Sequence, residues 1–217
     1  MGVKERHERE REATARAILD AARDLFVAEG YQNVSIRKIA EKIEYSPAAI
    51  YSYFPSKDDI FLALTEEGFR MLFASGAADC AARQAGKSSV ECIRSAFWEL
   101  YTFSKEHPEY FSLMFVDRSV PRISQDWQRF GFVREMRNRI AEMIQQAIDA
   151  GDFPQSSNPD AIFRVLSAAI HGVAVMRLCD RIVPGENMDA LAHDTLEAAL
   201  TGLRAGFTHT YTSASCH

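Results

Sequence analysis

Ser35, Arg37, Ser46, Tyr51, Ser52, Tyr53 and Lys57 crowd into one short stretch of a 217-residue chain. Hydroxyls, a guanidinium and an ammonium of this kind donate hydrogen bonds to phosphate oxygens. The small side chains between them, Pro47, Ala48 and Ala49, let a backbone come close to base edges and thymine methyls. The chemistry on offer is recognition, not bond making. There is no Gly-rich phosphate loop, no metal-ligand spacing and no nucleophile elbow. An enzyme is therefore not expected, and neither a metal nor a cofactor is implied. The four cysteines, Cys80, Cys92, Cys179 and Cys216, have no paired spacing. They read as small buried thiols in a reducing compartment.

The elements that hold these groups are helices throughout. Apolar residues recur at three and four, and alternating strand patterns are missing. A first helix is expected over 7–29, with Ile18, Ala21, Ala22, Leu25 and Phe26 on one face and Gly30 as a left-handed cap. Ser35 caps a second helix carrying Ile36, Ile39, Ala40 and Ile43. Ser46-Pro47 starts a short third helix that ends near Phe54-Pro55. Ser56 caps a long fourth helix with Asp58 and Asp59 in its first turn. Two short helices parted by a tight turn are a helix-turn-helix layout, in which the second helix enters the major groove and the first braces it. Further helices are expected to the end, with long ones over 127–150, 158–182 and 187–207.

Charge alone does not point to nucleic acid. Residues 1–60 hold ten Lys/Arg and eleven Asp/Glu, and the chain carries a net −5. That balance argues against a nonspecific polyanion binder and not against a specific one, and any DNA contact depends on where the charges sit. The series Arg6, Arg9, Arg11 and Arg16 reads either as a face touching the DNA backbone or as a solvated charged helix. No run of about 18 apolar residues suggests a membrane span, and the charged N-terminus has no signal-peptide stretch. The expected location is the cytoplasm.

The second half offers an aromatic region, Phe97, Trp98, Tyr101, Tyr110, Phe111, Met114 and Phe115. Together with His171 and Met176 it reads as plain core or as the lining of a ligand pocket. His171 is a candidate polar group or titratable switch within that pocket. Small and apolar residues on the last two helices read as packing within the chain or as a four-helix dimer interface. The candidates there are Val165, Ala168, Gly172, Leu196, Leu200 and Leu203.

Gly30-Tyr31, Val34-Ser35-Ile36, Ile39-Ala40, Ser46 and Ile50-Tyr51-x-Tyr53-Phe54, followed by Lys57 and Asp59-Ile60, together resemble the TetR/AcrR family of bacterial transcriptional regulators. The resemblance covers residues 14–64. It implies an all-α fold of about nine helices, with a three-helix helix-turn-helix domain over 1–56. A helical ligand-binding and dimerisation domain would fill 57–210, and residues 211–217 are expected as a disordered tail. It further implies a homodimer bound to a palindromic double-stranded DNA operator, most often as a repressor released by a small hydrophobic or aromatic effector. Carried over, Ser35 and Arg37 would contact phosphate or a base edge, and Ser46, Pro47, Ala48 and Ala49 would line the start of the recognition helix. Tyr51, Tyr53 and Lys57 would bind phosphates, Ser52 would lie on the same DNA-facing side, and Ile36, Ile39, Ile43 and Phe54 would be core. Two positions depart from the pattern. Glu44 stands where relatives often carry glycine, and Ala49 where they often carry a hydroxyl. The run around His171-Gly172 is similar to a His-Gly signature of one subgroup, without the upstream tryptophan.

Overall fold

Apolar side chains at three- and four-residue spacing coil into helices, and the computed structural model of the chain describes residues 2–83, 88–121 and 128–206, without the side chains of 3 and 75–83. Among the described residues there are nine α-helices and no strand. Helix α1 is Val3–Glu29, starting earlier than residue 7 because Gly2 caps it and donates its N–H to Glu5 at 3.0 Å. Its inner face buries Ile18, Ala21, Ala22 and Phe26, while Leu25 is half-buried. It stops at Gly30, whose φ of 81° and ψ of 145° lie outside the left-handed helical well in a region open to glycine alone. A 3₁₀ turn, Tyr31–Asn33, leads to α2, Ile36–Lys42, and α3, Pro47–Tyr51. Helix α4 is Lys57–Arg83. It is started by Ser56, whose hydroxyl accepts from the Asp59 N–H at 3.2 Å and donates to the Asp59 carboxylate at 2.6 Å.

The second half contains α5 (Ser89–Glu106), α6 (Pro108–Phe111), α7 (Gly131–Asp149), α8 (Pro159–Leu178) and α9 (Met188–Ala205), with a π turn at Ser112–Val116. Helix α8 is shorter than the 158–182 expected, because Asp180 takes a left-handed φ of 51° and Arg181 N–H folds back onto Met176 O at 2.8 Å. Trp127 and the tail 211–217 lie outside the described residues. So do Cys216 and the Cys80 side chain; Cys92 is half-buried, and Cys179 is exposed rather than buried.

Contacts divide the chain into two compact units. The first is Met1–Phe69 with Glu109–Gly131, so the α6 region and the π turn pack with the N-terminal helices. A polar cluster holds them there. The Arg16 guanidinium pairs with Asp20 at 2.6 Å and with Glu67, and lies 3.4 Å from the Tyr110 hydroxyl. Arg23 also pairs with Asp20, at 2.8 Å, and sits 5.6 Å from the centre of the Tyr110 ring. The Arg16 hydrogen bonds hold the Asp20 carboxyl below its ordinary range. Phe69 meets Phe115 edge-on at 5.6 Å.

The second unit is Arg70–Pro108 with Phe132–His217. Helix α8 packs between α5 and α9 and buries Ile162, Leu166, Ile170 and Val173. By length and composition α8 is apolar enough to cross a membrane, yet this face belongs to the unit's own core. Arg94 reaches Glu197 at 2.5 Å, and Tyr101 donates to Asp189 at 2.8 Å, tying α5 to α9.

Helix α4 makes a close approach to the Tyr110 and Met114 side chains at Gly68. A Cβ on Gly68 of α4 would stand 2.4 Å from Met114 Sδ and 3.0 Å from a Tyr110 ring carbon. Gly68→Ala is expected to lower stability by about 1–3 kcal/mol through overpacking, read as a fall in the midpoint of a denaturant titration without a change in slope.

Candidate nucleic-acid interface

The helix-turn-helix is built from two short helices with matched caps. Ser35 Oγ accepts from the Lys38 N–H at 3.2 Å, and Ser46 Oγ accepts from the Ala49 N–H at 3.2 Å. Each hydroxyl keeps its own hydrogen to donate elsewhere. Pro47 supplies a φ already suited to the first helical position of α3. Ile50 is fully buried, as are Ile39 and Ala40 of α2, while Ile36 is 8% exposed. Ile43 and Phe54, expected in the core, are only half-buried.

The turn between them passes through Glu44 at φ 58°. A left-handed glutamate costs about 1–2 kcal/mol relative to glycine. The Tyr45 N–H closes the turn on Ala40 O at 2.9 Å. The glutamate therefore holds the turn that glycine would make, with a strained backbone.

Most of the residues singled out from the sequence lie on one exposed surface. Ser35, Arg37, Ser46, Pro47, Ala48, Tyr51 and Ser52 are exposed, Tyr51 at 54%, and Ala49 and Tyr53 are half-buried. Arg37 pairs along its own helix with Glu41 at 2.8 Å, an exposed contact of little strength. Ser52 donates to Ala49 O at 2.6 Å, so its oxygen remains as an acceptor while its proton is committed to the helix. Tyr45, 46% exposed, joins this surface. The sequence reading missed it because it stands in the turn, outside either helical stripe.

Lys57 departs from the expected phosphate role. Its ammonium donates to Tyr31 O at 2.8 Å and to Val34 O at 3.0 Å, and lies 4.1 Å from the centre of the Tyr31 ring. Burial lowers its pKa. The Tyr31 hydroxyl donates to Asp58, and Arg129 pairs with Asp59 at 2.5 Å. Lys57 thus fastens the 3₁₀ turn and the approach to α2 onto the start of α4. No spacing rule separates an inward lysine from an outward one, since both occupy the same sequence position.

The candidate ligand residues divide between the units. Tyr110, Phe111, Met114 and Phe115 belong to the first, and Phe97, Trp98, Tyr101, His171 and Met176 to the second. Phe97, Tyr101, Tyr110, Phe111 and Met114 are buried; Trp98, Phe115 and His171 are half-buried; Met176 is 39% exposed. Trp98 and Tyr101 rings lie 5.3 Å apart, and burial raises the Tyr101 hydroxyl to about 12. His171 Nδ1 donates to Ser167 O at 2.7 Å, and burial lowers its pKa, favouring the neutral ring. Of the dimer candidates, Ala168 and Gly172 are exposed and Val165 is half-buried. Leu196, Leu200 and Leu203 point inward instead, at 1%, 1% and 5% exposure, and are closed off within the chain's own core. The exposed face of α9 carries Leu191, Ala198 and Gly202. Among the described residues, no three of His, Cys, Asp and Glu cluster as a metal site requires.

Residues 18–64 match the family described as bacterial regulatory proteins, tetR family, and residues 96–199 match the tetracyclin repressor-like C-terminal domain. The HTH-type transcriptional regulator YuxN of Bacillus subtilis is 28% identical over 48% of this chain and 35% of its own length. The regulator YwcC of the same organism is 24% identical over 75% of both chains. Among solved structures, the transcriptional regulator FadR from Bacillus subtilis, in complex with stearoyl-CoA, superposes with a TM-score of 0.72 at 16% identity. That superposition covers 86% of this chain and 98% of that one, a likeness of fold.

Replacing Lys57 by alanine is expected to cost about 1–3 kcal/mol of unfolding free energy, because two carbonyls lose a charged donor. Chemical denaturation checks this. A lysine that only met phosphate would leave stability unchanged.

Proposed function

The chain belongs to the TetR family of bacterial regulatory proteins, and we propose that within it this member is a cytoplasmic repressor that binds a palindromic operator as a homodimer and is released by a small hydrophobic ligand. It is a transcriptional regulator with a DNA-binding helix-turn-helix. The observation that carries the finer reading is the exposed face of α3 and the start of α2. Capped hydroxyls, Arg37, small residues and Tyr51 share one surface whose apolar counterpart, Ile39 and Ile50, is fully buried behind it. In this reading Ser35, Arg37, Ser46, Tyr51 and Tyr53 meet phosphates or base edges, Pro47, Ala48 and Ala49 allow close approach, and Ser52 accepts from a base amino group. Two copies set about 34–36 Å apart would read successive turns of one face of the duplex.

For the ligand, a long acyl chain on coenzyme A is the first candidate. The support is the similar fold of a regulator whose structure holds stearoyl-CoA. Ligand binding would lower operator affinity, and the operator would lower ligand affinity by the same factor. For the dimer, the outward faces of α8 and α9 are the proposed interface, with Val165, Ala168, Gly172 and Met176 facing Leu191, Ala198 and Gly202 of the same pair in the other copy. These side chains are small or apolar and leave α8 with an uncovered stripe.

Two measurements test this reading. A gel-shift titration against the DNA upstream of the protein's own gene is expected to give one tight, salt-sensitive complex that stearoyl-CoA dissociates. Binding no tighter than to random DNA would remove the operator, and a complex indifferent to stearoyl-CoA would remove that ligand class. Gly172→Arg is expected to convert the dimer to a monomer in sedimentation while leaving helix content unchanged, since a side chain there meets open space within the subunit.

A further inference from the structure

Beyond α2 and α3, the surface around the helix-turn-helix contains a second polar concavity. It is a cleft of about 740 Å³ between the first turns of α1 and the end of α3, lined by His7, Glu10, Arg11, Tyr45, Ser52 and Tyr53 among others. We propose that the sugar–phosphate backbone of one DNA strand runs in this cleft, with Arg11 on α1 as the cationic contact, the His7 imidazole as an N–H donor, and Tyr45 and Tyr53 as hydroxyl donors. The proposal rests on the DNA-binding reading above and adds to it a backbone contact made by α1.

Helix periodicity explains why α1 can do this. Ile18 is fully buried in the core of the first unit. Stepping back from it by four, three and four residues gives Thr14, Arg11 and His7, so the stripe that is apolar inside the fold becomes polar and cationic where α1 runs beyond it. Thr14 is half-buried, and Arg11 and His7 are exposed. All three residues lie on α1, which begins at Val3.

The charge balance of the region also resolves along this stripe. Basic and acidic residues nearly cancel over 1–60, and of the glutamates on the first turns of α1 one lines the cleft. Glu5, Glu8 and Glu12 do not line it. Glu10 does, and its carboxylate is answered by Arg6 at 3.1 Å and His7 at 3.6 Å. The Arg11 guanidinium stands 5.8 Å from the centre of the Tyr53 ring, which holds it beside a hydroxyl expected to reach phosphate. The cleft is continuous with the α3 surface through Ser52 and Tyr53. A strand leaving the major groove beside α3 would pass this wall, and fixed cations and hydroxyls there gain from its charge. Arg6 and Arg9 sit elsewhere on the same helix. Arg6 bonds Glu10, and Arg9 bonds the backbone of Glu5 at 3.2 Å. Arg9, which neither lines the cleft nor pairs with a residue that does, is the internal control.

The test is fluorescence anisotropy with a labelled random-sequence duplex, where binding is governed by phosphate contacts, titrated at several salt concentrations. The full chain itself must first bind with a salt-dependent affinity; if it does not, the DNA-binding reading fails before this one is reached. Arg11→Ala is expected to weaken binding several-fold and to reduce the slope of log affinity against log salt by about 0.9. Arg11→Lys is expected to restore the slope, and Arg9→Ala to leave it as in the parent. Three outcomes would overturn the proposal. The first is an unchanged slope in Arg11→Ala. The second is an equal loss in Arg9→Ala, which would mean a diffuse field. The third is weaker binding with unchanged slope and a lower melting temperature, which would reduce Arg11 to a packing partner of Tyr53.

Discussion

A five-residue helix has no stability of its own in water. Nucleation fixes several residues for a single hydrogen bond, and isolated helices shorter than about 12 residues are marginal at best. Helix α3 is that short, and everything around it compensates. Ser46 answers an N–H that the helix cannot, Pro47 arrives with its φ already set, and Ile50 is buried completely against the helices behind. Helix α2, seven residues long, has the same difficulty and the same remedy in Ser35, Ile39 and Ala40. The outer face of α3 can therefore consist of small and hydroxyl-bearing groups, because none of its outward side chains is needed to keep the helix formed.

That demand reaches further than the two helices. The turn between them carries a strained glutamate, whose cost the buried isoleucines must offset. The approach to α2 is fastened by Lys57, which places a positive charge on the carbonyls of Tyr31 and Val34, at either side of the 3₁₀ turn. Arg129 meets the first turn of α4 through Asp59, and Arg16 and Arg23 gather Asp20, Glu67 and Tyr110. In this way residues 109–131, distant in sequence, belong to the compact unit that presents α3. Helix α6 meets this network through the hydroxyl and ring of Tyr110.

The second unit follows a different logic. Its helices are long, and long helices tolerate division of labour between their faces. On α9 Leu196, Leu200 and Leu203 face inward while Leu191, Ala198 and Gly202 face outward; on α8 one apolar face is closed by α5 and α9 while Ala168 and Gly172 remain uncovered. The aromatic side chains that look like a ligand lining in sequence are largely core in this structure, Phe97 and Tyr101 among them. Aromatic content alone does not distinguish packing from binding, because both place the same rings out of water.

Much of this was legible beforehand. Ser35, Ser46-Pro47 and Ser56 mark helix starts through local bonds that need no tertiary partner, and the three-four spacing of Ile36, Ile39 and Ala40 marks the buried side. The helix-turn-helix, the all-α class and the resemblance over 14–64 rest on such local features. Other properties depend on neighbours far along the chain. The direction of the Lys57 side chain was decided by carbonyls at 31 and 34, the company of Tyr110 by arginines on α1, and the inward turn of Leu196, Leu200 and Leu203 by α5 and α8. A flexible lysine has many rotamers, and a helix with apolar residues on two faces has two ways to pack. Periodicity names the faces of a helix, and only the packed fold decides which face meets a neighbour and which meets water or DNA.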